Sequence, residues 1–256
     1  MRQGEEAAGA RNGEARATGS SQKPSQSASE DLREVREVLT TEYNVLMSAL
    51  SAAWSASLTR TSLFLGVVSA AGVAFGFASQ GGLDSSTFLA LAFLVLLLTL
   101  FLGVATFIRL VEVQREATVY ITGMNRIRHF FVESVPGAGP YFVLPVYDDE
   151  SALYRSIGTG MRWKRPRFRL LHLTVQTQGI VGIVTAVVAG GCGGLAGSPA
   201  GGVVAWPLAV IAFVITLACL FVYWHRSLTD MRAALRPVYP TPPDRLNEPG
   251  SSQETS

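Results

Sequence analysis

Three long stretches of this sequence contain no Asp, Glu, Lys or Arg. They run from Thr61 to Leu83, from Ser85 to Ile108 and from Leu170 to His225, and they are 23, 24 and 56 residues long. About 20 apolar residues in a helix cross the hydrocarbon core of a bilayer. Charged residues make up only 16% of the chain and hydrophobic residues 48%. These features exclude an ordinary soluble domain and a disordered chain.

The uncharged stretches predict four transmembrane helices, because the third stretch is long enough for two. The expected spans are Thr61–Ser79, Thr87–Ile108, His172–Gly190 and Val203–Trp224. Gly190–Gly194 and the Gly and Pro residues that follow disfavour a helix, so residues 191–202 are expected to form a loop. The fold class is therefore an all-α polytopic membrane protein with two transmembrane hairpins, 61–108 and 172–224.

The basic residues predict the orientation of the chain. All 21 Lys and Arg residues lie in residues 1–60, 109–169 and 226–256, and the two other loops contain none. Cytoplasmic loops carry the excess of Lys and Arg, so both termini and residues 109–171 are expected in the cytoplasm. Arg outnumbers Lys by 19 to 2, which is typical of a GC-rich bacterial genome. We expect a multi-pass protein of the inner (plasma) membrane.

Two juxtamembrane segments are expected to extend spans one and two into a cytoplasmic helical stalk. Residues 1–28 have no hydrophobic periodicity and are expected to be disordered. A capping box at Ser27–Glu30 then begins an amphipathic helix over residues 29–60, in which Leu39, Tyr43, Leu46 and Leu50 share one face.

The second stalk segment has apolar residues at alternating spacings of three and four, with charged residues between them. This stalk seam consists of Leu110, Val113, Ala117, Tyr120, Met124, Ile127 and Phe131. The pattern is typical of a coiled coil. Its partner is either the Leu39–Leu50 face of the same chain or the same seam of another subunit, and we expect a homo-oligomer.

After Glu133 the chain becomes irregular. Asp148-Asp149-Glu150 is expected to cap a short helix that ends near Met161, with divalent-ion binding as the alternative role of these carboxylates. Basic and aromatic residues then form a collar before span three: Arg162, Trp163, Lys164, Arg165, Arg167, Phe168 and Arg169. The collar is expected to bind anionic lipid headgroups, and nucleic acid is an unlikely alternative. The tail 225–256 is expected to be disordered after residue 236 because of its prolines.

No residue pattern for catalysis, a cofactor or a metal site is found in the sequence. His129, His172 and His225 have no Cys or Glu at ligand spacing. Cys192 in the expected outer loop and Cys219 inside span four lie at different depths, so they are not expected to form a disulfide. The protein is therefore not expected to be an enzyme.

The spans contain small and uncharged polar residues in place of ionisable ones. Gly72 and Gly76 in span one form a GxxxG motif, and Gly182 and Ala186 have a similar role in span three. A polar turn begins span three: Thr174, Gln176, Thr177 and Gln178. These four residues either line a pore or form hydrogen bonds to a neighbouring helix.

Several segments carry a resemblance to a known family. They are Thr41–Gln80, which opens Thr-Glu-Tyr-Asn-Val-Leu and closes Phe-Gly-Phe-Ala-Ser-Gln, then Phe107–Val111 and Gly123–Arg128. Over about residues 30–230 the chain resembles an uncharacterised actinobacterial family of four-span helical membrane proteins, which implies the architecture alone. It is more faintly similar to SLATT-type membrane effectors, which are thought to form pores.

Two functions follow as expectations. The first is an oligomeric pore-forming or conductance-changing effector. The alternative is a non-conducting membrane scaffold or sensor that recruits a cytoplasmic protein through its helical stalk.

Overall fold

The computed structural model describes residues 23–78, 80, 85–156, 177–234 and 236–242. The helices are α1 (Lys23–Ala78), α2 (Ser85–Ser134), α3 (Glu150–Ser156), α4 (Thr177–Gly197) and α5 (Gly202–Ala234), with 3-10 turns at Gly139–Tyr141 and Ser198–Ala200. No strand occurs among these residues. Helices α1, α2, α4 and α5 are long and apolar enough to cross a membrane. The expected all-α, four-span fold class is confirmed.

Helix α1 continues without a break for 56 residues. No Gly or Pro occurs from Leu32 to Leu65, so nothing in the sequence interrupts the helix where its polar half meets its apolar half. It begins at Lys23, within the residues expected to be disordered. The chain divides into two compact units between Val45 and Leu46. In the first unit, Leu39 and Tyr43 are half-buried and Val38 is exposed.

Helix α2 runs unbroken for 50 residues beside the part of α1 that follows Val45. The side chain of Leu46 lies against Gly123, and that of Phe64 lies against Gly103. As the residue number rises along α1 it falls along α2, so the two helices are antiparallel. At 1.5 Å per residue, the distance from Gly103 to Gly123 is about 30 Å.

Among the described residues, helices α4 and α5 have the most extensive backbone contact. The expected end of span three at Gly190 is wrong, because α4 remains helical through Gly190–Gly194 and ends only at Gly197. The reason is packing. A Cβ atom at Gly193 would lie 2.6 Å from the carbonyl oxygen of Leu208, and one at Gly197 would lie 2.7 Å from the Cα of Ala205. Glycine permits this approach, and its weak helix propensity is overridden.

Helix α2 also packs along α4, so it lies at the centre of the bundle. Gly182 contacts Phe107, and Gly191 lies near Leu96. A buried cluster joins α1, α2, α4 and α5, and it consists of Phe64, Phe107, Leu110, Val111, Val181, Leu220 and Trp224. In a bilayer such a cluster stabilises the fold through close van der Waals packing, because lipid tails are as apolar as the side chains themselves.

The segment 236–242 returns to the loop that precedes α3. The backbone N–H of Asp148 donates to the carbonyl of Tyr239 at 3.2 Å. The expectation of disorder after residue 236 is therefore wrong for 236–242, which we call the strap. Its three prolines have no backbone N–H, its backbone bends at Val238 and Tyr239, and its hydrogen bonds are made to another part of the chain.

Candidate functional site

The polar residues of the bundle concentrate at one end. This end consists of α2 from residue 109 onward, the loop of residues 135–149, α3, the last turns of α5 from residue 225 onward and the strap. We call this region the charged end. Within it a network of buried polar side chains connects α2 to the loop and the loop to the strap. This network is the strongest candidate for a functional site.

Asp148 is the centre of the network. Its carboxylate accepts hydrogen bonds from Arg126 Nε at 2.7 Å and from the backbone N–H groups of Val238 at 2.9 Å and Tyr239 at 2.8 Å. The side chain is fully buried. Burial alone would raise the pKa of Asp148, but these hydrogen bonds and the charge of Arg126 outweigh it and lower the pKa below its ordinary value. The carboxylate therefore stays ionised and holds the strap.

Asp149 combines a helix cap with a second contact to the strap. One carboxylate oxygen accepts from the hydroxyl of Ser151 at 2.6 Å and from its backbone N–H at 3.3 Å, and the other accepts from the hydroxyl of Thr241 at 2.5 Å. Burial opposes these bonds, yet the net pKa of Asp149 is also lowered. Asp149 thus caps α3. The described part of α3 ends at Ser156, and Met161 lies outside the described residues.

Asn125 connects α2 to the loop and to α3. It is fully buried, and its amide nitrogen donates to the carbonyl of Tyr147 at 3.0 Å and to Ser156 Oγ at 3.3 Å. Its amide oxygen accepts from Arg128 at 2.6 Å. A buried amide with several partners fixes one arrangement of the surrounding chain. Asn125 therefore sets the position of the loop against α2.

His129 lies between two aromatic rings. Its centroid is 4.1 Å from that of Tyr239 in the strap and 5.7 Å from that of Tyr147. Its Nε2 atom is 3.3 Å from the Glu133 carboxylate, and its buried Nδ1 atom has no hydrogen-bond partner among the described residues. His225 stacks on Phe221, and His172 lies outside the described residues.

The stalk seam is enclosed within the single chain. Leu110, Val113, Ala117, Met124 and Ile127 are buried, and Tyr120 and Phe131 are half-buried. Because one chain already covers the seam, the same residues are not available as a large surface for a second subunit.

Part of the expected polar turn forms helix–helix hydrogen bonds. The amide nitrogen of Gln178 donates to the side-chain oxygen of Gln114 at 3.0 Å, and the indole N–H of Trp224 donates to the same oxygen at 3.3 Å. These bonds join α4 and α5 to α2. Thr177 begins α4, whereas Thr174, Gln176 and the collar residues Arg162–Arg169 lie outside the described residues.

The small residues of the spans have different surroundings. Apart from the neighbouring residues of α1 itself, no described atom lies within 4 Å of a Cβ built at Gly66, Gly72 or Gly76. In α4, Gly182 and Ala186 are buried. Cys192 and Cys219, which lie in α4 and α5, are free thiols.

The network can hold the strap, but it does not assemble a set of metal ligands. Within the described ranges, no group of three His, Cys, Asp or Glu side chains could hold a metal ion.

Sequence analysis missed Asn125 and the strap contacts, because the donors to Asp148 are mostly backbone groups that no residue pattern reveals. The search against protein-family models, curated proteins and solved structures finds no match to this chain.

Proposed function

We propose that the protein is a non-enzymatic, multi-pass membrane scaffold or sensor that recruits a cytoplasmic protein through its charged end. The observation that carries this proposal is the loop after α2. Tyr141 and Val143 are 85% and 98% exposed, although they belong to the end of the bundle that carries the ionised residues. Large apolar side chains left in water at such a place are typical of a protein contact site.

The loop presents these side chains on an ordered backbone. The N–H of Ala138 donates to Val135 and that of Tyr141 donates to Ala138, both at 3.1 Å, and Gly137 provides the positive φ of 85° that the turn requires. The network at Asp148 and Asn125 then holds the far end of the loop. A surface ordered before binding loses less conformational entropy when a partner binds.

The orientation belongs to the same proposal. The charged end lies in the cytoplasm, both termini are cytoplasmic, and the membrane is the inner (plasma) membrane of a bacterium. The distribution of Lys and Arg supports this placement through the positive-inside rule.

A photo-crosslinking residue placed at Val143 tests the scaffold function in cells. We expect one discrete protein adduct, which Tyr141→Asp should abolish because the aspartate makes the contact polar. The matched control places the same crosslinker at Arg155, which is also exposed at the charged end and should give no such adduct. Equal adducts at both positions, or none at Val143, would contradict the proposal.

An oligomeric conductance-changing effector is the second candidate, supported by the open face of α1. Gly66, Gly72 and Gly76 leave room for a second α1 to approach closely. Ion flux through purified protein in liposomes separates the two functions. The scaffold predicts no more leak than protein-free liposomes. The effector predicts passive flux that Gly76→Leu reduces.

A further inference from the structure

A cleft of about 600 Å³ lies between α2 and α5 where the apolar part of the bundle meets the charged end. Its apolar side is lined by Ala218, Cys219 and Val222, and its polar side by Arg115, Tyr223 and Arg226. The long run without Asp, Glu, Lys or Arg ends at His225, and Arg226 is the first charged residue of α5. The cleft therefore lies where the uncharged run of α5 ends, which is where the hydrocarbon core is expected to give way to the headgroup layer.

The two arginines lie at the same height in the bundle. Gln114, which precedes Arg115, forms a hydrogen bond with Trp224, two residues before Arg226. Within the described residues neither guanidinium forms an ion pair within 4 Å. The carboxylates nearest in sequence to Arg115, Glu112 and Glu116, are bound to Arg109. The cleft thus combines two guanidinium groups with an apolar wall.

Two further groups complete the polar side of the cleft. Ser227 lines it, and the buried hydroxyl of this residue has no hydrogen-bond partner among the described residues. Asp230 lies at the polar rim one turn beyond Arg226. A single carboxylate at the rim leaves the cleft with a net positive charge.

We propose that this cleft binds one anionic phospholipid. The phosphate group accepts hydrogen bonds from Arg115 and Arg226, because guanidinium groups match the geometry of phosphate oxygens. An acyl chain lies along Ala218, Cys219 and Val222, which face the hydrocarbon layer. The site differs from general attraction of a basic segment to the membrane surface, because it has both a phosphate-binding part and a tail-binding part.

Native mass spectrometry of the purified full chain, titrated with dioleoyl phosphatidylglycerol, tests the site. We expect one tightly retained lipid per chain and at least a tenfold loss of affinity in Arg115→Gln/Arg226→Gln. The matched control Arg33→Gln/Arg155→Gln removes the same charge from exposed positions elsewhere and should bind like the wild type. Equal losses in the two double variants would reduce the effect to net charge and overturn the proposal.

Two further measurements identify the ligand. Val222→Trp keeps both arginines but fills the tail-binding part, so it should also weaken retention, and it serves if the arginine variant fails to fold. Glycerol 3-phosphate carries the phosphate without the tails and should not displace the lipid at millimolar concentration. If it competes as well as the lipid does, or if Val222→Trp binds like the wild type, the ligand is not a phospholipid held in this cleft.

Discussion

The carboxylate of Asp148 has three hydrogen-bond partners at once. Its carboxylate neutralises Arg126 and satisfies two backbone N–H groups of the strap, all at 2.7–2.9 Å. Losing one partner of such a group leaves the others unsatisfied, and this costs more than the hydrogen bond itself contributes. Asp148 is therefore the main attachment of the strap, and Asp149 adds a second one through Thr241.

Asp148→Asn should release the strap. An amide oxygen cannot compensate the charge of Arg126, and its NH2 group would face other donors, so we expect a loss of about 1–3 kcal/mol in the free energy of local opening. Hydrogen exchange at the amides of Val238 and Tyr239 measures the effect. Glu112→Gln is the control, because that carboxylate pairs with Arg109 and not with the network or the strap. Unchanged protection in Asp148→Asn would show that the strap is held by other contacts.

Acid should release the strap in the wild-type protein. The pKa values of Asp148 and Asp149 are lowered in the folded state, so their stabilisation is complete above the ordinary aspartate pKa of about 4 and is lost as the pH falls through the lowered values. Exchange at Tyr239, corrected for its intrinsic pH dependence, should accelerate below about pH 4. In Asp148→Asn most of this acid dependence should disappear, and an unchanged acid dependence would assign the titration to other groups.

The glycines of α4 favour one structure in water and another in a membrane. Their density favours a loop in water, but in a membrane every backbone group must be satisfied within the protein, which favours a helix. Gly190, Gly193 and Gly197 all face α5. The glycines of α4 thus make a helix–helix contact surface, and this surface determines how closely α5 approaches.

Gly193→Ala should destabilise the α4–α5 pair. The methyl group would lie 2.6 Å from the carbonyl oxygen of Leu208, and overpacking of this kind costs about 1–3 kcal/mol, more than the gain of about 1 kcal/mol in helix propensity. Gly72→Ala is the matched control, since its methyl group meets open space and should leave stability equal or slightly higher. Thermal unfolding in detergent compares them, and equal melting temperatures would mean that the helices adjust at no cost.

For the molecule as a whole, long-range patterns predicted the fold, whereas the network at the charged end could not be predicted. Uncharged runs of 20 or more residues admit few structures, so the four helices and the unbroken α2 follow from the sequence. The strap does not, because Pro237, Pro240 and Pro242 indicate an extended chain and leave open whether anything binds it. Asn125 resembles any polar residue beside the seam until the loop is placed on it.

The orientation of the whole molecule gives a labelling prediction. With Cys192 and Cys219 replaced by alanine, a cysteine at Ala200 should react with an impermeant thiol reagent added to intact cells. A cysteine at Tyr141 should react only after lysis. Both positions are exposed, so access to the reagent depends on the side of the membrane. The reverse pattern would invert the proposed orientation.

The strap also determines which parts of the bundle can move separately. Helix α5 is fastened to α2 at Trp224 and, through the strap, to the loop after α2 at Asp148, while α4 is held between them by glycine contacts. Helix α5 could slide past α2 only if both attachments broke. The apolar half of α1 packs on α2 through Leu46 at Gly123 and Phe64 at Gly103, and its glycine face is open. A change in membrane thickness or tension should therefore displace α1 relative to α2, α4 and α5, which both attachments hold together.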